Sequence, residues 1–331
     1  MTNIYSKPIT NVSAWMGDDM RATDEWIHVL GAAEIADLDQ ALRGVQKRGL
    51  EMVDVTKADF PLPVLAPFLT KLESEVRTGR GFYLLRGIPV ENNTDEEVFL
   101  IMWGIGTHLG TKVSQNAFGE LLGHVYDYQR DLSDVRTRGY QTNTRLRFHV
   151  DRADMTSLLC LRKAKQGGMS QIVSSGSVHN KILSEHPEYL PSLYEGVPYI
   201  FIEEVGEMRS WKESVFSVTD DVLSCSIRRN TVQKAIDSNT VPFSDFEFEA
   251  LHYFDDVAED PAFVLEMDME PGDIQFVNNY TIMHGRSGFV DFAEVEKRRH
   301  VVRLWLQFFT PRPTADYIRE QYNGIEKKAD R

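Results

Sequence analysis

The stretch Arg147-Phe148-His149-Val150-Asp151-Arg152 decides how this chain is interpreted. Its alternation of polar and apolar residues predicts a β-strand, in which side chains point to opposite faces with a period of two. His149 and Asp151 then share one face, with a single residue between them. An imidazole and a carboxylate at this spacing can fill two positions around a metal ion. Alone, however, His-x-Asp is a short pattern that an ordinary surface strand explains more readily.

A second histidine, His284, strengthens the metal hypothesis. It follows much later in the chain, within the polar stretch 278–286. Two histidines and one carboxylate, with coordination positions left open, form the facial triad of non-haem Fe(II) oxygenases. We therefore predict that His149, Asp151 and His284 bind a metal ion at which catalysis takes place.

Composition excludes several classes of protein. The chain has 331 residues, of which 42% are hydrophobic, so it can build a sizeable core. Its 50 acidic and 36 basic residues give a formal charge of -14, which argues against nucleic acid as a partner. No stretch is long and apolar enough for a membrane span, and no signal peptide is evident. Two cysteines are too few for a disulfide framework, so we expect a cytoplasmic protein.

The order of predicted elements indicates one oxygenase-sized domain, residues 1–331, that is mainly β with flanking helices. Residues 1–80 are mostly helical, with a helix over 33–47 whose apolar residues recur at helical spacing. A further helix begins after Thr94, the N-cap of a capping box with Glu97. Strands dominate residues 80–310, ending with a strand over 299–309, and the tail 311–331 predicts a fraying helix. Such a strand-rich half flanked by helices predicts an antiparallel β core.

Two arginines near the end of the chain suggest an acidic co-substrate. A guanidinium group offers a planar fork that matches a carboxylate. In a strand, Arg299 and Arg303 share one face, but they lie ~13 Å apart along it. Only one of them can therefore hold a given carboxylate. The alternative is that both are ordinary solvated strand arginines, although burial of an unpaired arginine would be costly.

These motifs together resemble one family. His149-x-Asp151, the turn Gly167-Gly168-Met169-Ser170, the stretch 278–286 and the last strand, 299–306, follow one another as in the taurine dioxygenase (TauD/TfdA-like) family. The resemblance covers residues 80–310. It implies a double-stranded β-helix (jelly-roll) core, and it implies Fe(II), 2-oxoglutarate and O2 as cofactor and co-substrates.

The resemblance also implies roles for individual residues. His149, Asp151 and His284 match the iron ligands, and Arg299 matches the arginine that binds the distal carboxylate of 2-oxoglutarate. Ser170 stands where the family has a threonine hydroxyl that reaches the same co-substrate, and a serine can donate the same hydrogen bond. Arg303 matches a second arginine, whose role varies between co-substrate, substrate and structure. Halogenating relatives lack the carboxylate ligand, so Asp151 favours hydroxylation or another oxidation without halide. The reaction expected first is hydroxylation of an unactivated C–H bond, with release of succinate and CO2.

The substrate is expected to be a small molecule such as an amino acid, an organic acid or a natural-product intermediate. Uncharged hydrogen-bonding residues near the motifs are candidate substrate contacts, and Arg286 could bind an anion at the pocket mouth; for each, a backbone-bonded loop residue is an equal alternative. The candidates are Gln115, Asn116, Gln141, Asn143 and Arg286. The composition leaves room for a homo-oligomer.

Two other functions would also use parts of this pattern. A cupin-like Zn or Mn enzyme, an isomerase or a hydrolase, would explain the triad but not Arg299 or the Gly-Gly-Met-Ser turn. A non-catalytic jelly-roll binding protein would explain the fold but gives no reason for an intact triad.

Overall fold

The computed structural model describes residues 4–130, 137–202, 208–239 and 241–328, and strands make up its centre. The strands are β1 (Ile27–Val29), β2 (Phe82–Arg86), β3 (Thr111–Lys112), β4 (Leu122–Val125), β5 (Leu146–His149), β6 (Met155–Arg162), β7 (Gln166–Gly167), β8 (Ser170–Ser174), β9 (Val197–Ile202), β10 (Met208–Glu213), β11 (Phe216–Thr219), β12 (Val222–Cys225), β13 (Val264–Met267), β14 (Ile274–Asn278), β15 (Ile282–Arg286), β16 (Phe289–Val290) and β17 (His300–Gln307).

The helices flank these strands, and their ends follow local sequence signals. They are α1 (Gly17–Arg21), α2 (Ala32–Arg48), α3 (Ala66–Arg77), α4 (Asp95–Leu109), α5 (Ser175–Glu185), α6 (Leu190–Glu195), α7 (Arg229–Asp237), α8 (Asp245–Glu259) and α9 (Asp316–Gln321). Helix α2 ends at Gly49, whose φ of 64° suits glycine. Helix α4 begins at the predicted capping box, because Thr94 accepts from the backbone N–H of Glu97.

Two sheets form the jelly-roll core. The larger has the order β1-β2-β14-β6-β17-β3, with β4 also paired to β17, and the smaller has the order β13-β8-β15-β5. Helices α2, α3 and α4 cover the larger sheet in one hydrophobic cluster, and a second cluster joins the smaller sheet to α5, α6 and α8. The predicted class, mainly β with flanking helices around a jelly-roll core, is confirmed.

Strand pairing places the motif residues side by side. β15 runs antiparallel to β5, and the register sets His284 opposite His149. On its other edge β15 pairs with β8, where Arg286 lies opposite Ser170. The smaller sheet thus holds both histidines and the serine on neighbouring strands, which lie only ~5 Å apart.

Two local expectations are wrong. β5 ends at His149, so Asp151 does not continue the strand: Val150 N–H donates to the carbonyl of Ile227, and Asp151 N–H donates to Asn279 Oδ1. These bonds bend the chain away from the sheet and fix the direction of the carboxylate. Arg299 lies one residue before β17, and the pairing with β6 shifts register just after His300. A simple strand-rise distance between Arg299 and Arg303 therefore does not apply.

The region from 187 to 239 adds elements that sequence patterns did not predict. Helix α6, two hairpins (β9 with β10, and β11 with β12) and helix α7 follow α5. An isolated bridge between His149 and Arg228 joins the start of α7 to the end of β5. Among the described residues, no helix is both long and apolar enough to cross a membrane.

Candidate metal centre and active site

The three predicted metal ligands converge in the fold. One donor atom from each of His149, Asp151 and His284 lies within 4.8 Å of the others, and within the described parts of the chain no other such group of three occurs. The nearest approaches to the carboxylate are 4.0 Å from His149 Nε2 and 3.6 Å from His284 Nε2. Two nitrogen donors and one carboxylate, on one side of a central point, fit the coordination preference of non-haem Fe(II).

The hydrogen bonding of His149 prepares its ring to bind a metal. Its Nδ1 lies 2.9 Å from the carbonyl of Arg147. A carbonyl only accepts, so Nδ1 carries the proton and the lone pair is left on Nε2, the nitrogen nearer to Asp151. Burial, together with the nearby ring of His284, lowers the pKa of His149 to about 3. The imidazole is therefore neutral at physiological pH, which is the form that binds a metal.

Buried donors hold the carboxylate of Asp151 in place. Its Oδ2 accepts from the hydroxyl of Thr156 at 2.9 Å and from the indole Nε1–H of Trp305 at 2.8 Å. Burial raises the pKa of Asp151, but the Arg303 guanidinium and the nearby His284 imidazole outweigh burial and hold that pKa well below its ordinary range. The carboxyl group is thus ionised and fixed, as a metal ligand must be.

One cavity, which we call the Arg299 cavity, adjoins both histidines. Its lining includes His149, His284, Ser170, Arg286 and Arg299. Arg299 Nη1 is buried and, among the described residues, has no hydrogen-bond partner. Burial lowers the pKa of Arg299, which marks the cost of holding an unpaired guanidinium away from water. An anion in this cavity would supply the missing partner.

The motif around the Gly-Gly turn shapes the Arg299 cavity. Gly168 has a φ of 77°, and a Cβ atom there would lie 3.2 Å from Arg299 Nε, so the turn and the arginine fit each other only with glycine. The hydroxyl of Ser170 lies at the same cavity and donates to Gln275 Oε1 at 2.9 Å. The hydroxyl proton is used in this bond, so only the oxygen lone pairs are free. To donate to a co-substrate carboxylate, which only accepts, the hydroxyl would have to rotate away from Gln275.

Arg286 lies inside this cavity rather than at the mouth of a substrate pocket. Its Nη2 donates to the carbonyls of Thr142 and Thr144, while its Nε and Nη1 are buried without a partner among the described residues. Burial and the neighbouring charge of Arg299 lower the pKa of Arg286 to about 9. Arg286 and Arg299 both lie over the ring of Phe289, at 4.6 Å and 5.3 Å. Two adjacent cations, each with a buried guanidinium nitrogen that lacks a partner among the described residues, make the cavity suited to a carboxylate.

Arg303 lies beside Asp151 and also lines the Arg299 cavity. Its Nε donates to Gln115 Oε1 at 2.7 Å, and its Nη1 lies 3.4 Å from both oxygens of Asp151. The guanidinium also stacks on Trp305 at 4.7 Å and Tyr140 at 5.1 Å. Arg303 thus balances the charge of Asp151, whereas Arg299 has no comparable carboxylate contact.

The remaining predicted substrate residues lie apart from one another. Gln115, Asn116 and Gln141 line a cavity of about 380 Å³ on the far side of Arg303. The amide of Gln115 is engaged by Arg303 and the carbonyl of Leu121, and that of Asn116 by Glu120. Asn143 is exposed, and its carbonyl accepts from Phe289 N–H. Of this set, only Arg286 lies at a cavity that also contains the histidines.

A cavity of about 190 Å³, which we call the α7 cavity, opens on the other side of the triad. Its lining includes His149, Asp151 and the first residues of α7, Arg228 to Thr231. Buried Glu213 holds the Arg228 side chain at 2.7 Å and 2.8 Å. Sequence reasoning missed these residues, because nothing in their local pattern ties them to a strand that ends 79 residues earlier.

Comparison with known proteins decides the family. Residues 46–305 match the family model described as taurine catabolism dioxygenase TauD, TfdA family. The chain belongs to the TauD/TfdA family. The predicted resemblance is confirmed, and with it the enzyme class, an oxygenase dependent on Fe(II) and 2-oxoglutarate.

Two known proteins align over most of this chain. FR-33289 synthase of Streptomyces rubellomurinus is 32% identical over 315 residues, covering 92% of each protein. Taurine hydroxylase-like protein SAT17 of Stachybotrys chartarum is 28% identical over 302 residues, covering 88% of this chain and 77% of that protein.

Solved structures share the fold. An asparagine oxygenase in complex with Fe(II), 2S,3S-3-hydroxyasparagine and succinate superposes with a TM-score of 0.65 at 15% identity, covering 85% of this chain and 93% of that one. The non-haem iron oxygenase OrfP in complex with Fe and alpha-ketoglutaric acid gives 0.62 at 14% identity, covering 85% and 94%. At this identity the likeness establishes the jelly-roll architecture alone.

Proposed function

We propose that this member of the TauD/TfdA family hydroxylates a small molecule, with His149, Asp151 and His284 as the iron ligands. One observation carries the proposal: the triad borders two adjoining cavities, which share His149 and Arg303 in their walls. The Arg299 cavity contacts the two histidines, and the α7 cavity contacts His149 and Asp151. A two-substrate oxygenase needs this arrangement, with one site for the co-substrate and one for the molecule to be oxidised.

The Arg299 cavity is the proposed 2-oxoglutarate site. Arg299 would bind the distal carboxylate of the five-carbon diacid, because its Nη1 is buried and unpaired in the described structure. Arg286 supports the same charge, and the hydroxyl of Ser170 lies on the opposite strand. Desolvation makes such charge-assisted hydrogen bonds strong and selective for an acid.

The chain's own residues orient and shield the reaction. Bound Fe(II) would supply the reaction of O2 with 2-oxoglutarate, which gives succinate and CO2 and places one oxygen atom on a substrate carbon. Thr156 and Trp305 fix the direction of the Asp151 carboxylate, and Arg303 balances its charge. Fixed ligands would hold the metal in one position, and their buried surroundings limit the access of bulk water to it.

The two alternatives explain fewer observations. A cupin-like Zn or Mn enzyme gives no reason for two arginines beside the histidines whose buried guanidinium nitrogens lack hydrogen-bond partners in the described structure. A binding protein without activity gives no reason for a neutral His149 and an ionised Asp151 that lie close enough together to bind one metal ion. A cytoplasmic location also belongs to this proposal, since both cysteines are free and buried.

The test measures whether succinate formation is coupled to the oxidation of an added compound. Purified protein with Fe(II), ascorbate and 2-oxoglutarate is screened against a panel of small metabolites, and succinate release above the substrate-free rate is measured. The proposal expects at least one compound to stimulate succinate formation and to gain one oxygen atom by mass spectrometry. A protein that forms no succinate under any condition, with or without added compounds, would refute the proposed function.

A further inference from the structure

The carboxylate of Asp291 is held against the backbone of Arg299, beside the Arg299 cavity. Asp291 directly follows β16, and its Oδ1 accepts from the backbone N–H of Arg299 at 2.7 Å. Its other oxygen, Oδ2, is buried and has no hydrogen-bond partner among the described residues. A buried carboxylate oxygen without a partner is unfavourable, so this arrangement requires an explanation.

The charge of Asp291 acts on both arginines of the cavity. Arg299 Nη1, and Nε and Nη1 of Arg286, are also buried without a partner in the described structure. Burial lowers the pKa of each arginine, and the Asp291 carboxylate opposes that fall in both. Even so, its free Oδ2 makes no hydrogen bond to either guanidinium. Opposite charges thus lie near one another without forming the pair that would satisfy them.

The loop after β16 keeps the carboxylate and the guanidinium apart. The Arg299 guanidinium lies over the ring of Phe289 at 5.3 Å, and β16, which carries Phe289, is paired to β7. Two residues after Phe289, Asp291 binds the backbone of Arg299 instead of its side chain. Arg298 Nε closes the loop by donating to the carbonyl of Phe292 at 3.2 Å. The loop therefore holds Arg299 at its backbone and leaves the guanidinium fork to the cavity.

An anion in the Arg299 cavity would be attracted by the arginines and repelled by Asp291. Coulomb interactions in a partly desolvated site extend over several ångströms, so Asp291 need not touch the anion to weaken its binding. Asp127 acts on Arg286 in the same direction, whereas Asp291 acts on Arg286 and on Arg299. Because 2-oxoglutarate and succinate both end in a carboxylate at this position, the repulsion applies to co-substrate and product alike.

We propose that Asp291 is a positioning residue with two effects: its Oδ1 fixes the backbone of Arg299, and its charge weakens the binding of 2-oxoglutarate and succinate, so that the product can leave. This inference rests on the proposed function, because it concerns the proposed 2-oxoglutarate site. A carboxylate with a merely structural role predicts the opposite sign, since its loss would disorder Arg299 and weaken the binding of both acids.

The test removes the charge of Asp291 and keeps its hydrogen bond. Asp291→Asn retains an oxygen that can accept from Arg299 N–H, and Asp291→Ser retains a smaller acceptor at the same position. The matched control is Asp220→Asn. It makes the identical change at an exposed position between β11 and β12, where the positive φ of 53° suits either residue.

The ligands are 2-oxoglutarate, succinate and pyruvate, a 2-oxo acid without the distal carboxylate, titrated by calorimetry into the Mn(II)-loaded proteins. Both Asp291 variants should bind 2-oxoglutarate and succinate on the order of ten-fold more tightly than wild type, as expected when a like charge about 10 Å away is removed. Pyruvate should gain less, and Asp220→Asn should match wild type for all three. In turnover, the KM for 2-oxoglutarate and the inhibition constant of succinate should fall together.

Three outcomes would overturn this inference alone: unchanged binding of 2-oxoglutarate by both Asp291 variants, weaker binding by both, or an equal gain for pyruvate. Failure of the proposed function is distinguishable from these. It would appear as a wild-type protein that binds no 2-oxoglutarate in its metal-loaded form, and the role of Asp291 would then fail with it.

Discussion

Replacing Arg299 with alanine should selectively weaken the binding of 2-oxoglutarate. Its Nη1 is buried and has no partner among the described residues, and the side chain shares its cavity with both histidines. A charge-assisted hydrogen-bonded pair contributes on the order of 1.5–3 kcal/mol. At ~1.4 kcal/mol per decade, its loss should raise the apparent 2-oxoglutarate constant roughly ten- to a hundred-fold.

The fold should survive this substitution. The bond that Arg299 makes to Asp291 Oδ1 uses its backbone N–H, at 2.7 Å, and is kept in the alanine variant. Arg299→Lys keeps the charge but loses the fork, so its constant should fall between those of wild type and Arg299→Ala. Arg303→Ala is the contrasting variant, because the Arg303 side chain already contacts Gln115 and Asp151. It should perturb metal binding more than 2-oxoglutarate binding.

The assay is the 2-oxoglutarate dependence of succinate formation in these variants. Calorimetric titration of 2-oxoglutarate into the Mn(II)-loaded proteins provides a second readout that needs no turnover. If Arg303→Ala shows the large shift and Arg299→Ala binds 2-oxoglutarate like wild type, the assignment of the two arginines is reversed and the reasoning from unpaired buried charge fails.

Two further predictions concern the supports of the site. Trp305→Phe removes the 2.8 Å hydrogen bond to Asp151 Oδ2 and should weaken Fe(II) binding roughly ten- to a hundred-fold in an anaerobic titration. The control is Trp103→Phe, which loses a hydrogen bond to the carbonyl of Val55 and should leave Fe(II) binding unchanged. Glu213→Gln leaves the partly buried Arg228 without its charge partner and should lower the free energy of unfolding by about 3–5 kcal/mol in urea. Burial raises the pKa of Glu213, but Arg228 outweighs burial and lowers it, so the wild type should lose this contribution to stability as pH falls below about 4.5. The stability of the variant should therefore fall less steeply with pH in the acid range. An equally steep fall for both proteins would contradict this.

The triad could be predicted because its signal is local and its chemistry is restrictive. His149 and Asp151 are two residues apart in the sequence. The order of strands along the chain does not determine which strands pair, and it is the pairing of β15 with β5 that brings His284 opposite His149. The direction of Asp151 could not be read from alternation, because bonds to Ile227 and Asn279 bend the chain after His149. Side-chain periodicity describes a strand only as far as its ladder continues.

The residues that line the cavities could be identified only from the tertiary structure. Arg286 and Arg299 become neighbours because both contact Phe289 beside the Gly-Gly turn, and no spacing in the sequence encodes this. The start of α7 reaches the metal site through a bridge to His149 from a region whose short hairpins lack a clear period. Gln115 has the polar character expected of a substrate contact, yet its amide is occupied in holding Arg303. Polarity alone does not distinguish such a supporting role from binding.

The most direct test of the central claim is an anaerobic titration of Fe(II) and 2-oxoglutarate followed by visible absorption. If His149, Asp151 and His284 hold the metal beside the Arg299 cavity, a weak charge-transfer band of the iron–keto acid chelate should develop and saturate at one equivalent of Fe(II). The band should be absent in His149→Ala and His284→Ala, with both variants still folded. A band of wild-type intensity and affinity in either variant would contradict the account.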